Sequence, residues 1–336
     1  MKTRIFTLLA LTAIVLSTQN ANATIRRVGY FGTPRVGTDY SDLASAHTAS
    51  AAGDTILLYP GVWTATFSKK IVLIGYGYLT NQNPNLQVIT GTNSANITLA
   101  NGSDNCIFTG IDGLSATVNT NATVAGITIS RCYVTIILNN KTYNNWQVTQ
   151  SIISSFNGYS YTGLITNWLI SNCIINQFNM TTNSSQSCLF TNNICNGSTN
   201  FGNANVVCQN NIFLYARSNS AAATYQNNIQ DNYNFGTPLP NVNGNQNLST
   251  QAAINNLFVG YPTQGTYSDD GLWVLKAGSA AIGTGVGGVD CGIFGGSTAY
   301  RLSGIPAIPS FYKLTAPSVT TSTNPYTITF SVRSNN

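Results

Sequence analysis

Few residues in this 336-residue chain could do acid, base or metal chemistry, and their spacing carries most of the functional information. All nine acids are Asp, Glu is absent, and His47 is the single histidine. A retaining glycoside hydrolase needs two carboxyls about 5 Å apart and an inverting one needs about 6.5–9.5 Å. A polysaccharide lyase needs a base beside a uronate carboxylate and a cation to neutralise that carboxylate, commonly calcium on acidic oxygens. Between Gly113 and Gln230 there is no acid, and the charges are Arg131, Lys141 and Arg217. The remaining candidates for catalysis are Arg131, as a base or uronate clamp, and Asp231, which has no acidic partner at useful spacing. A solvated arginine at a bend is the simpler reading of Arg131. Asp269, Asp270 and Asp290 form the one acidic set whose spacing could hold a metal, and Ca2+ is the ion that would fit. They lie in a Gly-rich segment where Asp usually serves turns and caps, so no cofactor is expected. His47 has no Cys, Ser-centred motif or second acid beside it and reads as an ordinary helix residue. Aromatics suggest a gentler chemistry: Tyr143, Trp146, Tyr159, Tyr161 and Trp168 cluster among Asn144, Asn145, Asn157 and Asn167. Flat rings flanked by amides suit sugar binding, although packing against the sheet is the simpler reading of Trp146 and Trp168.

These side chains must be carried by a repeat. Ser171-Asn172-Cys173-Ile174, Thr191-Asn192-Asn193-Ile194, Gln209-Asn210-Asn211-Ile212 and Gln226-Asn227-Asn228-Ile229 share one pattern, with weaker copies at Ser130-Arg131-Cys132 and Gln150-Ser151-Ile152. Aligning Cys132, Ser151, Cys173, Asn193, Asn211 and Asn228 gives spacings of 19, 22, 20, 18 and 17 residues. A period near twenty with short apolar runs suits one turn of a parallel β-helix. Ile129, Val148, Ile170, Phe190 and Cys208 then form a stacked inner column. The asparagines sit at a bend, pairing their amides with neighbouring rungs, and serve structure rather than ligand. Thr does not recur in one column of this alignment, which argues against an ice-binding face.

Upstream, Tyr40 to Ala52 is the stretch expected to be helical, capped by Ser41 or Asp42, with Leu43, Ala46 and Ala49 on one face and its end at Gly53, and Gln251 to Val259 could form a second short helix. Ala52-Gly53-Asp54-Thr55-Ile56, a short strand, Pro60-Gly61 and Lys70-Ile71-Val72-Leu73-Ile74-Gly75 follow. This succession resembles the opening of right-handed parallel β-helix proteins of the pectate-lyase-like superfamily, in a secreted bacterial branch. The resemblance runs from about Tyr40 to about Gln230 and implies a helix capping the open end of a three-sheet solenoid. It implies no particular activity, because that scaffold hosts lyases, hydrolases, adhesins and binding proteins. Leu272 to Gly283 and Asp290 to Gly296 resemble the closing segment that covers the C-terminal end of such solenoids. Pro325 to Val332 alternates as one final strand.

Composition and export fit this picture. Only 7% of residues are charged against 43% hydrophobic, and the formal net charge of +5 forms no basic stripe for nucleic acid. Lys2 and Arg4, the apolar run Ile5 to Leu16, and Ala21-Asn22-Ala23 read as a signal peptide, with no later stretch able to span a bilayer. The seven cysteines occupy no matching columns of adjacent rungs, so they are expected to be buried free thiols.

The resulting expectation is an all-β, right-handed parallel β-helix: signal peptide 1–23, N-terminal cap 24–55, solenoid 56–233, and closing segment with final strand 234–336. Function is expected to be non-catalytic, binding a polysaccharide or cell-surface glycan or serving adhesion. The setting is the cell exterior, or the periplasm of a Gram-negative source. The alternative is a lyase or hydrolase of acidic polysaccharide.

Overall fold

The computed structural model describes residues 23–30, 32–83, 91–118, 122–139, 141–157, 164–180, 187–218, 222–236, 238–316 and 327–335. The expected signal peptide, through residue 22, lies outside the described residues, as do Tyr159 and Tyr161. The chain coils as a parallel β-solenoid. Two 11-stranded sheets form its long sides, and a short parallel pair, Tyr143–Asn144 with Ile165–Thr166, stands on a third side.

Register follows from the alternation of side chains. In the first sheet Ile56, Leu73, Phe108, Ile129, Val148, Ile170, Phe190, Cys208 and Tyr225 stack in one inward column. All nine are buried, which is the column expected from the repeat, extended at both ends. The second sheet buries Val134, Ile153, Ile175, Cys195 and Phe213 in the same way. Aromatic rings fill the space between: Trp146 stacks on Trp168 at 5.0 Å and Phe156 on Phe178 at 4.6 Å. All seven cysteines are free and buried.

The solenoid opens earlier than the sequence suggests. Ile25–Val28 pairs with Thr55–Leu58 and is already a rung, with Asp39–Tyr40 added outside it. Helix α1, Leu43–Ala49, is capped by Asp42, whose carboxylate accepts from Ser45 N at 2.7 Å. Its buried face is Leu43, Ala46 and His47 rather than Ala49, and it stops at Ser50 rather than Gly53. The helical period explains the shift, since positions i, i+3 and i+4 share a face.

The repeat specifies two ladders. The first residue of each Asn pair takes a left-handed backbone: Asn172, Asn192, Asn210 and Asn227 have φ of 53, 55, 56 and 52°, with Arg131 and Gln150 at 54 and 50°. Asn tolerates that conformation better than other non-glycine residues. The second residue points inward. Asn211 Oδ1 accepts from Asn193 N at 2.9 Å and from Asn193 Nδ2 at 3.0 Å, while Asn211 Nδ2 donates to Phe190 O at 2.8 Å. Asn228 and Asn245 repeat the pattern one and two rungs on.

Beyond the last rung the chain departs from expectation. The segment from Ala281 to Pro306 runs back along the bend, against the direction in which the rungs advance. Asn227 Nδ2 donates to Thr284 O, Asn192 Nδ2 to Asp290 O, Asn172 Nδ2 to Ile293 O and Gly295 O, and Gln150 Nε2 to Ala299 O, at 2.7–3.1 Å. Tyr78, far up the solenoid, donates its N–H to Ser303 O at 2.7 Å. This strap covers the outward Ile of each repeat: Ile152, Ile174, Ile194, Ile212 and Ile229 form a second apolar cluster with Ala281, Cys291, Ile293 and Tyr300. The closing segment is therefore a lengthwise strap. The final strand, Thr329–Arg333, pairs antiparallel with Ser310–Thr315 as a largely exposed hairpin.

Candidate functional site

Each acidic candidate is occupied by its own neighbourhood. Asp231 accepts from Asn234 N at 3.0 Å and Asn234 Nδ2 at 2.8 Å, closing a turn after the last repeat. Asp270, fully buried, accepts from Ser303 N at 2.5 Å, Ser268 Oγ at 2.7 Å and the Tyr300 hydroxyl at 3.3 Å. Asp269 takes the Gln82 and Gln264 amides, and Asp290 accepts from Gly283 N at 2.8 Å. Of these, the Gln82–Asp269 bond ties the loop before the strap to the first half of the chain, and the Asp270 bonds tie that loop to the strap. Among the described residues no group of three or more His, Cys, Asp or Glu is placed to hold a metal.

Arg131 lies at the bend as expected but is 8% exposed rather than solvated. Its Nε donates to Gln150 Oε1 at 2.8 Å, and its Nη1 donates to Ile305 O and Asn335 O, both at 2.9 Å. The guanidinium thus clamps the strap and the chain's tail. Beside it is a cleft of about 330 Å³ lined by Tyr300, Arg301, Leu302, Ile305, Arg333, Ser334 and Asn335. Burial, with the charge of Arg301 nearby, holds the Arg131 guanidinium below its usual range.

The aromatic candidates split between interior and undescribed residues. Tyr143, Trp146 and Trp168 are all buried inside the coil, and the two indole N–H groups donate to Val124 O and Tyr143 O at 2.9 Å. They line no accessible surface. Their one-rung spacing makes them a stack rather than a platform. His47 is stacked on Phe67 at 4.9 Å and its Nε2 accepts from Ser68 N, and burial, with the charge of Lys69, lowers its pKa.

What the sequence alignment missed is the outward face of the first sheet. One column runs Arg27, Leu57, Ile74, Thr109, Ser130, Thr149, Ser171, Thr191, Gln209 and Gln226. Beside it runs Ile25, Thr55, Val72, Ile107, Thr128, Gln147, Leu169, Leu189, Val207 and Thr224. The hydroxyls do recur in register, contrary to the expectation from the sequence. The column lies one residue before the left-handed bend residue of each repeat, and its hydroxyls alternate between Thr and Ser. Rungs advance about 4.8 Å, so ten of them make a track on the order of 40 Å long. It carries one charge, at Arg27, and its hydroxyl column borders the bend that the strap covers, where Ser171 is buried and Thr109, Ser130, Thr149 and Thr191 are half-buried.

No protein-family model, curated protein or solved structure matches this chain.

Proposed function

We propose that the chain is a non-catalytic solenoid of the cell exterior that binds an extended glycan along the outward face of its first sheet. The observation that supports this reading is the paired column just described, five hydroxyl residues in succession from Thr109 to Thr191 beside an aliphatic-rich row. An extended glycan offers the complementary surface, alternating hydroxyls with apolar C–H faces and advancing by a similar length per sugar. The leader read from Lys2 to Ala23 supports export. A binder is favoured over a lyase or hydrolase because the candidate carboxylates are engaged in turns and strap contacts, and Arg131 is spent on carbonyls.

Incubation with soluble xylan, glucan, mannan, pectate and alginate tests both readings at once, following retention of the protein together with ultraviolet absorbance and reducing ends. Retention without new ends or unsaturated products is expected; turnover of any of the five would replace this reading with the enzymatic one. A second reading rests on the same hydroxyl column, since a flat Thr/Ser row could also meet ice. Growth of ice grains in a frozen protein solution separates it from the first, because a glycan binder leaves that growth unchanged.

A further inference from the structure

The column that starts at Arg27 begins in an aromatic corner of unusual construction. Arg27 is held in its plane by Asp39, Nε to Oδ1 at 2.6 Å and Nη2 to Oδ2 at 2.8 Å, and its guanidinium lies 3.8 Å from the centre of the Tyr30 ring. Tyr30 meets Tyr59 edge to face at 5.3 Å, and Tyr59 meets Tyr76 at 5.3 Å, on successive rungs. Trp63 lies beside them, its indole N–H donating to Tyr59 O at 2.9 Å. Gly29 and Gly61 make room for that indole, because a Cβ on either would come within 2.5 Å of the ring. All four rings are half-buried, whereas Trp146, Trp168 and Trp273 are buried.

We infer that this corner is a sugar-ring subsite at the N-terminal end of the track, where one pyranose packs on the exposed part of the Trp63 ring and its hydroxyls meet Arg27, whose guanidinium already covers a face of Tyr30. The inference rests on the glycan reading above and adds a subsite and a direction to it. Half-exposed rings offer apolar faces, and a fixed guanidinium offers donors in a rigid plane. The Asp39 carboxylate is 3% exposed at its side chain, so it orients Arg27 rather than meeting ligand itself.

Trp63 makes the test specific, as the one half-exposed indole among the four tryptophans of the chain. Xylohexaose, cellohexaose and mannohexaose are the probes, with binding measured by calorimetry and Trp63 followed by N-bromosuccinimide oxidation mapped by mass spectrometry. The expected result is that the probe that binds protects Trp63. Tyr30→Ala should weaken its binding about five- to tenfold and Tyr30→Phe should restore most of that loss. Thr149→Lys, five rungs from Arg27 and so within reach of a hexaose anchored at the corner, should weaken binding yet leave Trp63 protected at saturation. Binding with Trp63 still oxidised, or unchanged in Tyr30→Ala, overturns the subsite and leaves the track standing. Absence of binding by every hexaose and every polysaccharide overturns both. Circular dichroism of Tyr30→Ala, matched to wild type, guards against a folding defect; if that variant misfolds, protection of Trp63 in the wild-type protein decides alone.

Discussion

At the residue scale, Asn211 shows how a single amide of the inner ladder holds the fold. Its side chain accepts from Asn193 N and Nδ2 and donates to Phe190 O and Asn228 Oδ1, all at 2.8–3.0 Å and all buried. Leaving such groups without partners costs about 1–3 kcal/mol each before relaxation. Asn211→Ala is therefore expected to destabilise the protein by about 3 kcal/mol, read as a fall in the urea midpoint at unchanged slope. His47 gives a pH signature. Its folded pKa lies below its unfolded one because burial disfavours the charged ring, so the unfolded state takes up the proton first as pH falls. The stability it contributes is whole above the unfolded value of about 6.5 and is lost as pH falls from there through the folded pKa. Asp112 works in the opposite direction, since burial raises its carboxyl and favours the folded state at lower pH. Comparing wild type with His47→Gln isolates the histidine: melting temperature should fall more between pH 7 and pH 5 in wild type. The thiols are a further check. Burial pushes Cys132, Cys173, Cys188 and Cys195 up to about 12, so native protein should resist alkylation at pH 8. Unfolded, unreduced protein should take up label at all seven cysteines, and any intact disulfide would contradict the structure.

At the element scale, the strap and the outer Asn ladder form one unit. Asn192 combines a left-handed backbone with a donor to Asp290 O at 3.1 Å. A β-branched residue there meets a steric cost of about 1–2 kcal/mol in addition to the lost bond. Asn192→Val should thus loosen the strap, and Asn192→Gly should recover the backbone part alone; hydrogen exchange across residues 281–300 measures both. Much of the solenoid is legible from spacing: the inner column from Ile129 to Cys208, the bend at each Asn and the free thiols all follow from one aligned repeat. The strap is not legible for a physical reason. Most of its contacts to the ladder are made by backbone groups, such as the carbonyls of Thr284, Asp290, Ile293 and Ala299 and the N–H of Val286, and a backbone group leaves no mark on residue identity. The outward Ile of each repeat was the available signal, because an apolar residue on a solvent face calls for a cover.

At the scale of the whole molecule, the strap decides where function can sit. It covers the bend and the outward Ile column of the second sheet and reaches the edge of the hydroxyl column at buried Ser171, whereas Leu189 and Val207 of the neighbouring aliphatic column are exposed. The aromatic loop singled out from sequence contributes Trp146 and Trp168 to the core instead, since their one-rung spacing stacks them inward. Five hydroxyl residues in register, read across rungs rather than along the chain, are the feature on which the proposed glycan track rests. The most direct test is migration in native gels containing soluble xylan, glucan or mannan, comparing wild type with a Thr149→Lys, Thr191→Lys double variant. Wild-type protein should be retarded by at least one of these glycans and the double variant should run as in a plain gel. Equal retardation of the two proteins, or none of either, would contradict the assignment of the first sheet as the binding face.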